Sequence, residues 1–263
     1  MTDPREALAE LTVLLSRYLR DRLLGIYLFG SLAAGGFVPG RSDLDLFAVL
    51  EGEVPEIESL RALHAGFVAD RPEWAERVEV GYVTREVLQT LDGEPAGRIA
   101  VISPGEPLNV KDVGYDWALN WHGVTTAGEA IVGPPPLELG PAITPDAYRH
   151  AIEAQLETWT HDVRAPEVGY VPAHQGYIVV TLCRALYGLE TGEQTTKENA
   201  VAWAAERYPD RATFLWEALA RYRADLRPDH EAVIRFADDA LAEGRRLQRS
   251  PETDQIRTFS EPD

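Results

Sequence analysis

Leu28-Phe29-Gly30-Ser31 and Ser42-Asp43-Leu44-Asp45-Leu46 hold the residues best spaced to do chemistry. A small-residue turn ends one apolar run, and two carboxylates two residues apart open the next. Successive side chains alternate across a strand, so Asp43 and Asp45 point the same way. Two like charges on one face repel, and burying them without a partner is costly. A divalent cation removes that cost. Hard oxygen donors of this kind suit Mg²⁺, which also engages substrate phosphates. Gly30 permits close backbone approach because it lacks a Cβ, and Ser31 adds a hydroxyl. Backbone N–H groups at such a turn favour an anion. Together these residues point to metal-assisted phosphate chemistry.

Glu79, in Val78-Glu79-Val80-Gly81-Tyr82-Val83, is the candidate third carboxylate. Alternation puts Val78, Val80 and Tyr82 toward a core and Glu79 on the other face. Asp43, Asp45 and Glu79 could hold one or two Mg²⁺ ions, with Glu79 also accepting a hydroxyl proton as general base. The alternative is a solvated strand face, more plausible for Glu79 alone than for the aspartate pair.

These residues need elements to position them. Residues 4–22 read as an amphipathic helix with Leu8, Leu11, Leu14, Leu15 and Tyr18 at helical spacing. Gly25–Phe29, residues 43–50 and Val78–Val83 read as strands, with a helix over 56–69 between the last two. The pattern is weak between residues 92 and 115. Trp117 to Ile131 reads as a helix and a strand. Gly133-Pro134-Pro135-Pro136, with Pro141 and Pro145, marks a domain boundary, set at residues 140 and 141. Beyond it, residues 146–162, 173–190, 196–207, 211–224 and 229–248 carry helical periodicity, and residues 250–263 are polar enough to fray. The expected architecture is a two-domain chain. An α/β domain, a small mixed sheet with helices, spans residues 1–140, and an all-α bundle spans 141–263.

Bulk properties narrow the function. The chain has 263 residues, 25 basic against 43 acidic, and a formal charge of −18. Such a balance argues against nonspecific nucleic-acid binding, which needs Lys and Arg to neutralise phosphates. It suits a cationic small molecule, although acidic surfaces also serve solubility alone. Cys183 is the only cysteine, so neither an intrachain disulfide nor a Cys-rich zinc site is available. No apolar run reaches membrane-span length, and the N-terminus lacks a secretory pattern, so a cytoplasmic protein is expected.

The spacing G-S-x(11)-D-x-D resembles the signature of the polymerase-β-like nucleotidyltransferases, and the chain as a whole resembles the aminoglycoside adenylyltransferases that modify streptomycin and spectinomycin. In the second half the likeness rests on Val179-Val180-Thr181-Leu182-Cys183-Arg184, Thr191-Gly192, Lys197 and Ala202-Trp203-Ala204-Ala205-Glu206-Arg207-Tyr208-Pro209. The resemblance implies transfer of AMP from ATP to a drug hydroxyl in a cleft between two domains of a monomer. It implies Asp43, Asp45 and Glu79 as Mg²⁺ ligands and Glu79 as base. Gly30, Ser31 and Ser42 would contact the triphosphate, and Arg184, Lys197 and Tyr222 the nucleotide. Glu79, Trp117, Trp121 and His174 are the candidate substrate contacts, with core packing the simpler reading for both tryptophans. His122 is a second histidine that could line the cleft. One departure stands out: Val171-Pro172-Ala173-His174-Gln175-Gly176 lacks the carboxylates that streptomycin-modifying members carry before the Val-Val-Thr-Leu helix. A nucleotidyltransferase acting on another small molecule or a protein, and a non-catalytic nucleotide-binding module, remain as alternatives.

Overall fold

The computed structural model describes residues 3–54, 56–165 and 172–248. The tail over 250–263 and Val171 of the segment before His174 lie outside the described residues. The chain divides into two compact units, Met1–Tyr148 and Arg149–Asp263.

The first unit is built on a six-stranded mixed sheet. Its strands are β1 (Leu23–Phe29), β2 (Leu44–Leu50), β3 (Val78–Thr84), β4 (Arg98–Ser103), β5 (Glu106–Asp112) and β6 (Glu129–Val132), in the order β5-β4-β3-β2-β1-β6. Only β2 and β3 run parallel; the other neighbours are antiparallel. The helices are α1 (Pro4–Leu19), α2 (Gly30–Ala33), α3 (Ile57–Asp70), α4 (Arg85–Leu88) and α5 (Tyr115–Ala127). Helix α1 starts where Asp3 accepts a hydrogen bond from the Arg5 amide and Pro4 takes the first turn.

The two faces of the sheet do different work. Leu44, Leu46, Ala48, Leu50, Val78, Val80 and Tyr82 share one core with Leu8, Leu11 and Leu15 of α1 and Leu60 and Phe67 of α3. The alternation read from Val78–Val83 thus holds, and Glu79 faces the other way. That second face is covered by α5. Trp117 presses on Gly81, where any Cβ would collide with its ring, and Phe47 packs edge-on against Trp117 and Trp121 at 5.1 and 5.4 Å between centroids. Phe47, Ala48, Val49 and Leu50 are all fully buried, as a strand covered on both faces requires.

The weak segment 92–115 contains the β4–β5 hairpin. Its pattern was faint because β5 is an edge strand with Pro107 in it and only Leu108 fully buried, entered through a turn at Pro104-Gly105 where Gly105 has φ +79°.

The second unit is helical: α6 (Pro145–Asp162, which begins at the end of the first unit), α7 (Pro172–Thr191), α8 (Lys197–Arg207), α9 (Ala212–Arg223) and α10 (His230–Gln248). Helix α7 is central and packs against α8, α9 and α10. Its Ile178, Val179, Val180, Leu182, Cys183 and Leu186 are buried all round, as a helix with neighbours on several sides demands. Gly192 ends it at φ +75°, and Thr196 caps α8 by accepting from the Asn199 amide at 3.2 Å. Among the described residues no helix is long and apolar enough to cross a membrane.

Candidate active site

Parallel pairing sets the carboxylates side by side. Asp45 of β2 is the direct register partner of Glu79 of β3, and on its other flank Asp45 pairs with Phe29, the last residue before the Gly30 turn. Parallel partners project to the same face, so the two carboxylates emerge together at the start of their strands, with Asp43 one residue before β2. Gly30 is required here for two reasons. Its φ is +67°, and a Cβ would run into the Asp45 carboxylate. Ser31 follows in the first turn of α2. Ser42 is held from both sides: its Oγ accepts from the Val38 amide at 2.9 Å, and its carbonyl accepts from Nε of Arg77 at 3.2 Å.

The electrostatics of the group are uneven. Burial, then the charges of Asp43 and Asp116, push the Glu79 pKa up to about 7, while Lys111 and a hydrogen bond from the Ser103 hydroxyl partly offset them. Asp116, in the first turn of α5, is also raised. The protein crowded around its carboxylate is the main cause, and Lys111 and the amides of Trp117 and Asp116 oppose it. Arg77, stacked 4.7 Å over Trp74, is near enough to Asp43 to feel its charge. The donor chemistry suits a hard divalent cation: several carboxylates lie near one another, and both Glu79 and Asp116 hold a proton more tightly than an exposed carboxylate does. As the side chains stand, no three His, Cys, Asp or Glu among the described residues gather at metal-holding distance. The fit to Mg²⁺ therefore rests on the chemistry of the donor set, carboxylates gathered on one face of the sheet.

The second unit gathers the other candidates. The ammonium of Lys197 donates to the Tyr222 hydroxyl at 2.9 Å and lies 5.0 Å over the Tyr222 ring and 5.2 Å over the Tyr177 ring. Burial works against its charge. The phenols of Tyr222 and Tyr177 outweigh burial and hold its pKa above the ordinary lysine value, with the nearby Arg184 opposing. Arg184 is oriented by its Nε donating to the Thr195 carbonyl at 3.1 Å. Two cations kept close together in a strongly acidic chain make a natural anion site.

Two candidates are corrected. Trp117 and Trp121 are 2% and 0% exposed, locked into the aromatic cluster with Phe47 and Tyr27, and the Trp121 indole donates to the Pro141 carbonyl at 2.9 Å. Neither ring has a face open to a ligand, so they are core residues and not substrate contacts. His174 is exposed near the start of α7. Its neighbour Gln175 is fully buried and hydrogen-bonded to Nδ1 of His230 at 2.8 Å. His122, by contrast, stacks on Tyr148 at 4.3 Å within the first unit.

Sequence reading missed Ser103, Lys111, Asp116 and Tyr177. A signal for Lys111 was present: only Lys111 and Lys197 are lysines, every other cation being arginine. Both stand at the two places where the candidate residues collect.

Residues 13–92 match the nucleotidyltransferase domain model, and residues 138–256 match the aminoglycoside adenylyltransferase C-terminal domain model. An aminoglycoside (3'') (9) adenylyltransferase of Escherichia coli is 25% identical over 256 residues, spanning 89% of this chain and 87% of that protein. The crystal structure of the spectinomycin adenyltransferase AAD(9) from Enterococcus faecialis, solved with ATP and spectinomycin, shares the fold with a TM-score of 0.73 at 19% identity, over 92% of this chain and 100% of that one. The unit bearing the carboxylates thus matches a nucleotidyltransferase domain, and the helical unit matches the C-terminal domain of aminoglycoside adenylyltransferases.

Proposed function

We propose that the protein transfers the adenylyl group of ATP to a hydroxyl of a cationic aminoglycoside-type acceptor such as spectinomycin or streptomycin, releasing pyrophosphate. The observation that carries this reading is the side-by-side register of Asp45 and Glu79, with Asp43 beside them and Gly30 pressed against Asp45. Asp43, Asp45 and Glu79 would hold Mg²⁺, which when bound neutralises triphosphate charge and makes the α-phosphorus more electrophilic. Gly30, Ser31 and Ser42 contact the triphosphate; Lys197, Arg184 and Tyr222 contact the nucleotide. Glu79 takes the proton of the acceptor hydroxyl as general base. The freed oxygen attacks the α-phosphorus in line, the bond to the β-phosphate oxygen breaks, and AMP is left esterified to the acceptor. Glu79 and His174 remain as acceptor contacts. A cytoplasmic monomer suffices for this chemistry.

A second reading, the same transfer to a different acceptor, is favoured by burial of both tryptophans and by the absence of a carboxylate from Val171 to Gly176. The test is pyrophosphate release with ATP and Mg²⁺ across spectinomycin, streptomycin and other aminoglycosides, with mass spectrometry of the products. An AMP adduct on one drug, lost in Asp45→Asn, supports the first reading. ATP binding without an adduct on any drug supports the second.

A further inference from the structure

Tyr177 has no part in the chemistry above, yet three helices converge on it. Its ring meets Trp159 of α6 edge-on, with centroids 5.5 Å apart and planes at 72°, and leans on Tyr222 of α9 at 6.2 Å and 48°. The Lys197 ammonium of α8 stands over both tyrosine rings, 5.2 Å from the centre of Tyr177. The preceding residue leaves no slack. A Cβ on Gly176 would come within 2.7 Å of the Tyr222 Cβ, so α7 and α9 touch at this level. A lysine ammonium is a compact charge on a flexible four-carbon stem and must be held if it is to meet a ligand at one point. The hydrogen bond to Tyr222 fixes one direction. A second ring face at cation–π distance supplies another.

We propose that Tyr177 is a positioning residue for Lys197, its ring braced by Trp159 so that the ammonium is presented to the nucleotide's phosphates. The proposal deepens the nucleotidyltransferase reading and rests on it for the identity of the ligand.

Two measurements test it. The first is calorimetric ATP binding without acceptor, for the unaltered protein, Tyr177→Phe, Tyr177→Leu, Tyr177→Met, Lys197→Ala and the Tyr177→Leu/Lys197→Ala double variant. Loss of the ring weakens ATP binding about five- to tenfold in the Leu and Met variants. Tyr177→Phe, which keeps the ring, stays within about twofold. Tyr177→Leu has no further effect once Lys197 is gone. Equal losses in Phe and Leu, or additive losses in the double variant, overturn the proposal.

The second needs no ATP. With only two ε-amines in the chain, the acetylation rate of Lys197 can be read by peptide mass spectrometry against Lys111 as internal reference. Tyr177→Leu speeds modification of Lys197 several-fold and Tyr177→Phe does not; unchanged rates in both refute the contact. If the unaltered protein fails to bind ATP, the nucleotidyltransferase reading falls, and the labelling result still decides whether Tyr177 positions Lys197.

Discussion

Glu79 carries conflicting demands. Its neighbours Asp43 and Asp116 favour the protonated form, and Lys111 and Ser103 favour the charged one. On the proposed chemistry Glu79→Gln loses the base and a metal ligand while removing like-charge repulsion. Turnover falls by at least about a hundredfold. The melting temperature stays level or rises, which calorimetry checks. Gly30 makes a different prediction. Gly30→Ala must adopt φ +67° with a side chain and displace the Asp45 carboxylate. It costs about 1–3 kcal/mol of stability and abolishes AMP transfer, measured by denaturant unfolding and pyrophosphate release.

Elements hold these residues through packing that can itself be tested. Helix α3 and strand β3 are joined by a buried pair, Nε2 of His64 to the Tyr82 hydroxyl at 2.6 Å. Burial lowers the His64 pKa from 6.5 to about 4. The folded state therefore keeps the imidazole neutral where the unfolded chain binds a proton. Stability from this group is complete above pH 6.5 and is lost progressively as pH falls toward 4, by about 3 kcal/mol at most. Unfolding free energies across that window should slope in the unaltered protein and flatten in His64→Gln. Helix α5 is held by Trp117 on Gly81 and Phe47. Trp117→Ala costs about 3–5 kcal/mol without a selective rise in acceptor KM. A large rise in acceptor KM at unchanged stability would restore Trp117 as a substrate contact.

At the scale of the molecule, on the proposed function, a charge of −18 would attract a cationic acceptor and repel ATP. Salt screens both effects. Raising ionic strength from about 0.02 to about 0.2 M shortens the screening length from roughly 20 Å to under 10 Å. Acceptor KM should rise several-fold over that range, while KM for ATP holds or falls. Parallel increases in both would mean that the overall charge serves solubility and not substrate recruitment.

Local pattern alone determined a good deal here. The helices of the second unit and the three strands that lead to Gly30 and carry Asp45 and Glu79 were legible within a residue or two, because their periodicity is strong and their ends carry Gly, Pro or a capping Thr196. The side of β3 that Glu79 takes was legible for the same reason, period two being a property of any strand. Tertiary structure decided the rest. The β4–β5 hairpin was faint because its edge strand buries little beyond Leu108 and carries Pro107, so its alternation is weak along the chain. Trp117 and Trp121 became core residues only because α5 lies on the second face of the sheet, which no spacing along the chain records. The direct pairing of Asp45 with Glu79, the charges of Asp116 and Lys111 felt by Glu79, and the Tyr177 ring beneath Lys197 join residues far apart in sequence. Such contacts depend on register and helix packing, and these are set by the folded chain as a whole.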